Sequence, residues 1–344
     1  CKYLLETDRP FEVEVSPYRS ELIPIFRAAA ERFAKLEAAL ILGLKRRHEL
    51  LGLLVLGPKL SGEFYDAEDL ELLAVIARET AVALENIDLF EEVARDRELR
   101  RELEDAAEVQ IQLFPRVVPR LASGRLAGRC VLARSACGDY YDFLELPEHK
   151  VALAIGDVCG QGMSASLLMA NVQGLLRTQA VTAESLGELA RKINRHLHGS
   201  LGGTKFCTLF YGVYDDVRRQ FEYINAGHNP PLVITSQGVR YFEATGLPLG
   251  LFPEVAHSPR FEELEPGTLL VLYSDGITEA RNVRGETYGL NRLLGAISRA
   301  RDAEVERLLA KILADVNEFT EGAPIEDDRT LVLLKLNAAA ASRG

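Results

Sequence analysis

The stretch Val151-Ala152-Leu153-Ala154-Ile155-Gly156-Asp157-Val158-Cys159-Gly160-Gln161-Gly162 sets a carboxylate at the tip of an apolar run and follows it with glycines. An apolar run of this length, closed by turn residues, reads as a buried strand. Three other stretches have a similar build: Cys137-Gly138-Asp139-Tyr140-Tyr141-Asp142, Tyr273-Ser274-Asp275-Gly276 and Glu326-Asp327-Asp328-Arg329-Thr330. One aspartate beside a glycine is an ordinary turn. Four such sites in one domain predict an acidic pocket that repels itself unless cations sit in it.

Outward from that stretch, further strand-like runs are Phe206 to Tyr214, Phe221 to Asn225, Pro231 to Thr235, Leu269 to Tyr273 and Leu331 to Leu336. Two helices show apolar faces: Leu186, Leu189, Ala190, Ile193 and Leu197 in one, and Val305, Leu308, Leu309, Ile312, Val316 and Phe319 in the other. Strands joined by tight turns, with helices in two blocks, indicate an α+β fold of antiparallel sheets covered by helices. The end of one antiparallel strand lies beside the start of its neighbour. Asp157 and Asp275 follow strands while Asp327 and Asp328 precede one, so all can gather at one edge. Oxygen ligands without a local His or Cys cluster select hard cations, magnesium or manganese rather than zinc. Two such ions about 3.5–4 Å apart lower the pKa of a bridging water and neutralise a phosphoryl group during in-line attack. Gly156, Gly160 and Gly162 mimic a nucleotide loop, but no Lys-Ser/Thr follows, which excludes a Walker-type phosphate loop.

Five motifs occur in order: Gly138-Asp139-Tyr140-Tyr141-Asp142-Phe143, Gly156 to Gly162, Asn225-Ala226-Gly227-His228-Asn229-Pro230-Pro231, Ser274-Asp275-Gly276-Ile277-Thr278-Glu279 and Asp327-Asp328-Arg329-Thr330. Together they resemble the RsbU/SpoIIE-type branch of the metal-dependent protein serine/threonine phosphatases, the PPM family, over roughly Val109 to Leu336. Gln110-Ile111-Gln112-Leu113-Phe114-Pro115 is similar to that branch's opening segment. The resemblance implies an α-β-β-α sandwich over residues 116–338 and two Mn2+ or Mg2+ ions. It implies that Asp157 bridges the ions, that the Val158 carbonyl helps hold one water shell, and that Asp275 and Asp327 are further metal ligands. Asp139 is implied on the second ion, making Asp157, Asp275 and Asp139 the catalytic set. Asp328 stands beside the metal set, where the wider family often has Asn, and fits a supporting place. Asp142 is either a further carboxylate of the site or the cap of a turn. The implied substrate is a phosphorylated STAS-domain anti-sigma-factor antagonist.

The chain departs from the branch at Cys137, where a second glycine is common, at Cys159, where serine is common, and at Gln161, where lysine or histidine is common. None removes a carboxylate. Cys159 is either an oxidation-sensitive thiol or a buried, inert one. His228 reads as a turn-stabilising histidine, with a phosphate contact as the sharper alternative. His196 and His198 read as surface residues of a helix end.

Residues 1–88 read as a partial GAF-like sensor domain, an α/β unit. An amphipathic stretch opens at Glu21-Leu22-Ile23-Pro24-Ile25-Phe26. Strands at Ala38 to Leu44 and Leu51 to Leu56 flank the polar tip Lys45-Arg46-Arg47-His48-Glu49, and Asp66 is the N-cap of the next helix. Leu51 to Glu92 resembles the C-terminal half of a GAF domain. Residues 89–115 form the linker helix, with eight acids and four bases between Glu91 and Glu108. Its seam of Leu99, Leu103, Ala106, Gln110 and Leu113, preceded by Glu92 and Asp96, predicts either a short parallel coiled coil or a single rigid helix. Pairing would give a homodimer through the GAF-like unit and the linker helix.

The 344 residues suffice for two domains, and 47% hydrophobic with 26% charged content fits a globular protein with a sizeable core. The net charge of −11 disfavours nucleic acid and anionic membranes as partners. The five cysteines lack CxxC spacing and favour a reducing, cytoplasmic setting. The positions six residues beyond them are Thr7, Ala136, Phe143, Ala165 and Val213, so no cysteine-nucleophile phosphatase loop exists. No apolar run is long enough to span a bilayer. The only methionines are Met163 and Met169, so the chain reads as a fragment of a longer protein rather than a lipoprotein starting at Cys1. Function therefore reads as protein serine/threonine phosphatase. The rivals are a catalytically inactive phosphatase-fold partner-binding module and a two-metal phosphodiesterase, which the lack of basic, aromatic-rich stretches disfavours.

Overall fold

Alternating apolar residues make Leu40, Leu42 and Leu44 share one face of a strand and put Ile41 on the other. In the computed structural model, which describes residues 4–5, 10–13, 23–46, 49–133, 136–160 and 162–338, the chain divides into units of residues 1–100 and 101–344. Cys1, Glu21, Leu22, Arg47, His48, Gln161 and the tail beyond residue 338 lie outside the described residues, as do the side chains of Ile23 to Phe26 and Leu103.

The first unit contains β1 (Phe11–Glu12), α1 (Ile23–Lys35), β2 (Leu40–Arg46) and β3 (Glu49–Leu56), with the strands antiparallel in the order β1-β2-β3. Leu40, Leu42 and Leu44 pack with Ala77 and Ala81 of α2 (Ala67–Ile111). Ile41 packs with Phe11 and Val13 on the opposite face. Asp66 caps α2 as expected: its Oδ1 accepts from the Asp69 N–H at 3.0 Å, and Asp69 Oδ2 accepts from the Asp66 N–H at 2.8 Å. The helical pattern expected from Asp69 to Leu113 is one helix of 45 residues.

The second unit is built on two five-stranded antiparallel sheets. Its strands are β4 (Gly124–Val131), β5 (Asp139–Leu146), β6 (Lys150–Val158), β7 (Cys207–Asp215), β8 (Gln220–Ala226), β9 (Leu232–Ile234), β10 (Val239–Tyr241), β11 (Arg260–Glu263), β12 (Leu269–Tyr273) and β13 (Arg329–Leu336). One sheet has the order β10-β9-β12-β13-β4 and the other β11-β8-β7-β6-β5. Leu270, Leu272, Val332 and Leu334 from the first meet Leu153, Ile155, Phe210 and Phe221 from the second in the core between them. Helices α3 (Met163–Gln179) and α4 (Leu186–Leu201) cover the second sheet. The short helix α5 (Asp275–Thr278) is followed by α6 (Gly289–Ala300) and α7 (Val305–Thr320), and α6 and α7 cover the first sheet. The expected α-β-β-α layering is present.

The sequence reading assigned no strand to β4, β5, β10 or β11. β4, β10 and β11 lie at sheet edges, where one side needs no apolar partner and Arg125, Arg129 and Arg240 keep the alternation weak. β5 also lies at a sheet edge but is largely buried, and the buried Asp139 at its start and Asp142 within it broke the apolar pattern.

Candidate metal centre

Strands β5 and β6 pair so that Asp139 lies directly opposite Asp157, with Thr208 of β7 on the other side of Asp157. Like charges opposite one another in a sheet repel. Asp139 is buried, and burial together with nearby Cys130 and Asp157 pushes its carboxyl well above the usual range. Two hydroxyl groups oppose that shift. Thr330 Oγ1 donates to Asp139 Oδ2 at 2.5 Å, while the Ser274 hydroxyl, whose nearness also lowers the carboxyl, donates to the Asp328 carbonyl at 3.1 Å. Because Thr330 is the second residue of β13 and Asp139 the first of β5, the bond between them ties the two sheets together at the acidic end.

Asp157 closes β6. Burial first, then the charges of Asp275, Asp327 and Asp328, push its carboxyl up to about 7, against a hydrogen bond from the Val158 N–H. Asp275 opens α5 at the end of β12, and burial with Asp327 and Glu279 raises it too. The aspartates expected at one edge are thus brought within electrostatic reach of one another. A cavity of about 210 Å³ is lined by Gly138, Asp157, Val158, Gly160, Asp327 and Asp328 among others, while Asp139 and Asp275 stand behind its lining.

Asp328 is buried and spends both oxygens on backbone: Oδ1 accepts from the Ala133 N–H at 2.8 Å and Oδ2 from the Gly138 N–H at 2.9 Å. It brackets the segment leading into Asp139, which matches a supporting place better than a direct ligand. Asp327 is exposed beside it, with Oδ1 accepting from the Asp328 N–H at 2.9 Å. Glycine is required at 276, where an added Cβ would stand 2.1 Å from the Asp328 carbonyl oxygen. That close approach holds Asp275 against the 327–328 segment.

Asp142 turns away from the pocket chemistry. Its buried carboxylate takes a bidentate pair from Arg177 of α3, at 2.7 and 3.1 Å, and a bond from the Tyr140 hydroxyl at 2.9 Å. It neither joins the pocket nor caps a turn, but pins α3 to β5. His228 is buried, with Nε2 lacking a hydrogen-bond partner among the described residues, and is pushed down to about 4 by burial. Its backbone N–H donates to Asn225 Oδ1 at 2.8 Å, and Nδ1 lies 2.9 Å from Thr208 Oγ1, which in turn reaches the Asp157 carbonyl at 3.4 Å. The turn reading holds, and the turn supports Asp157 from behind. His196 is exposed, while His198 Nδ1 bonds the Gly250 carbonyl at 3.1 Å.

Sequence reasoning missed Ser274, Thr330 and Lys205. The two hydroxyls sit beside motif aspartates, a signal that was present in the chain. Lys205 sits where no motif marks it. Its ammonium donates to Ser164 Oγ at 2.6 Å and lies 3.6 Å from where a Cβ on Gly160 would stand, at the rim of the cavity. Gly162, at φ 71°, holds the left-handed turn that opens α3 beside it.

The donor set fits hard divalent cations. It is all oxygen, and the raised carboxyls show negative charge awaiting a positive partner. Among the described residues no three His, Cys, Asp or Glu side chains converge closely enough to hold a metal ion.

Two helix-covered antiparallel sheets with aspartates at the meeting strand ends define a PP2C-type protein serine/threonine phosphatase domain. The chain belongs to the SpoIIE family: the family model described as Stage II sporulation protein E (SpoIIE) matches residues 147–337, more than half of it. Protein IcfG of Synechocystis sp. is 27% identical over 277 residues, covering 72% of this chain and 44% of that protein. Phosphoserine phosphatase RsbU of Bacillus subtilis is 29% identical over 242 residues, covering 69% of this chain and 71% of that protein. The crystal structure of the RsbU and RsbW domains of Rv1364c from Mycobacterium tuberculosis is similar with a TM-score of 0.55 at 25% identity, covering 65% of each chain. The match thus spans less than half the length of IcfG.

Proposed function

We propose that the protein is a metal-dependent phosphatase that hydrolyses phosphoserine or phosphothreonine on a regulatory protein, a STAS-domain anti-sigma-factor antagonist. One observation carries this: Asp157, whose carboxyl is pushed up to about 7 by burial and by Asp275, Asp327 and Asp328, at the floor of a cavity large enough for a phosphoryl group. Similarity to a protein named phosphoserine phosphatase supports the bond cleaved. Likeness to an RsbU domain that shares a protein with an RsbW domain supports a regulatory partner.

Asp157 and the Val158 carbonyl would hold two Mn2+ or Mg2+ ions together with Asp139, Asp275 and Asp327, while Asp328 braces the segment before Asp139. When bound, such ions lower the pKa of a shared water and neutralise phosphoryl charge. Thr330 orients the Asp139 carboxylate by a hydrogen bond, Ser274 ties the Asp328 carbonyl to the start of α5, and Thr208 with His228 fixes the backbone under Asp157. Lys205, at the cavity rim, supplies positive charge where a substrate phosphate enters.

The setting is a cytoplasmic signalling pathway, with residues 1–88 as a partial GAF-like sensor and a homodimer formed through that unit and the linker helix. No helix among the described residues is long and apolar enough to cross a membrane. Helix α2 keeps Val82, Phe90, Val93 and Leu99 exposed, apolar surface that a second copy would cover. Neither nucleic acid nor membrane is a partner in this scheme. Manganese-dependent hydrolysis of p-nitrophenyl phosphate tests the chemistry: the parent turns over and Asp157→Asn does not. Equal rates would sink the enzyme and leave the inactive partner-binding module.

A further inference from the structure

Cys130 and Cys137 hold their sulfur atoms 3.5 Å apart beside the acidic pocket. Cys130 lies on the edge strand β4, directly opposite Thr330, the residue whose hydroxyl holds Asp139. Cys137 precedes Gly138, which lines the cavity and whose N–H is held by Asp328.

The geometry favours a bond between them. The Cys137 backbone is fixed by the Gln110 side chain through both its N–H and its carbonyl. Its thiol donates only weakly, to the Asp139 carbonyl at 3.3 Å. A disulfide has its sulfurs about 2.05 Å apart, so the pair needs to close by roughly 1.5 Å. Cys130 is half-buried, within reach of a small oxidant, and Cys137 is buried behind it.

We propose that Cys130 and Cys137 are a modification site, oxidised by a hydroperoxide to an intramolecular disulfide that lowers activity at the adjacent pocket. The Cys130 thiolate attacks the terminal oxygen of the hydroperoxide, forming a sulfur–oxygen bond as the O–O bond breaks and the alkoxide (hydroxide for hydrogen peroxide) leaves and takes up a proton. The Cys137 sulfur then attacks the resulting sulfenic acid. The S–S bond forms, and the hydroxyl group departs with the Cys137 proton as water. A dithiol reductant returns both thiols by exchange. Closing the pair removes the Cys137 bond to the Asp139 carbonyl and strains the Gln110-held backbone of Cys137, and with it the Gly138–Asp139 link beside Asp157. The activity half of this proposal rests on the phosphatase reading; the disulfide itself does not.

The full chain, treated with hydrogen peroxide, alkylated and digested, is mapped by mass spectrometry beside a manganese-dependent phosphatase assay. The expected result is a Cys130–Cys137 linked peptide, reversed by dithiothreitol, with activity falling at least ~10-fold and recovering on reduction. Cys130→Ser and Cys130→Val are expected to show no linked peptide and to keep their activity through peroxide, while Cys159→Ser behaves as the parent. Recovery of both cysteines as alkylated thiols, or Cys130 linked to a different cysteine, overturns the site. A linked peptide with unchanged activity overturns the control of the pocket. A parent inactive before and after reduction defeats the phosphatase reading and leaves the peptide map to decide the disulfide.

Discussion

The Gln110 side chain satisfies both backbone groups of Cys137, donating from Nε2 to the carbonyl at 2.5 Å and accepting the N–H on Oε1 at 2.9 Å. The last turn of α2 is thereby joined to the segment that delivers Gly138 and Asp139. Gln173 of α3 makes a matching bond to the Leu113 carbonyl just beyond the helix end. Gln110→Ala leaves two buried backbone groups without partners, at a cost of about 1–3 kcal/mol each. The expected outcome in the full chain is a lower Tm and a lower kcat with little change in KM. Unchanged kcat would show that the helix end does not position Asp139.

The metal-free protein is expected to lose stability as pH rises above about 6.5. The Asp157 carboxyl is pushed up to about 7, while an unfolded aspartate titrates near ~3.9. Between those values the native state holds the extra proton, so stability is fullest at low pH and falls as pH passes through the folded pKa. Asp139 and Asp275 are shifted in the same direction. His228, pushed down to about 4, acts oppositely, but only below its unfolded value of ~6.5. Thermal melts in EDTA between pH 6.5 and 8 check this. Asp157→Asn should flatten the slope and saturating Mn2+ should reverse it; a Tm rising with pH in EDTA would contradict it.

Gly276→Ala forces the new Cβ to within 2.1 Å of the Asp328 carbonyl oxygen unless the backbone moves. Separating α5 from the 327–328 segment costs about 1–3 kcal/mol of overpacking strain and parts Asp275 from Asp327. Calorimetric titration should show weaker manganese binding alongside the lower Tm. Parent-like affinity would show that the two aspartates need not stay together.

Arg177→Met strands the wholly buried Asp142 carboxylate, whose partner side chain is 47% exposed. Water on the arginine side keeps the loss at the low end for a buried pair, about 3 kcal/mol. Denaturant unfolding measures it. Arg177→Lys, which keeps the charge but not the fork, should recover only part.

Much of this was legible in the chain because strand ends carry local signals. The run Leu269–Tyr273 reads as a strand from its apolar continuity alone, and the places of Asp157 and Asp275 after such runs put both at one acidic edge. There Asp157 lines the cavity and Asp275 lies close enough to push its carboxyl up. Asp142 was not legible: its partner Arg177 lies 35 residues away on a helix, and no spacing rule links a strand carboxylate to it. Asp328 was half legible, since its place beside Asp327 is visible but its two backbone donors, Ala133 and Gly138, are set by the tertiary fold. The Cys130–Cys137 contact was hidden for the same reason. Cys159 drew notice for lying next to Asp157, yet its sulfur accepts from the Phe206 N–H at 3.0 Å.

Phosphate release from a phosphoserine-bearing STAS-domain protein, followed with Mn2+ and with EDTA for the parent and Asp157→Asn, tests the central claim most directly. Release should occur only in the parent with the ion, and Asp157→Asn should be slower by more than ~100-fold. Equal release by parent and variant, or release undiminished by EDTA, would contradict it.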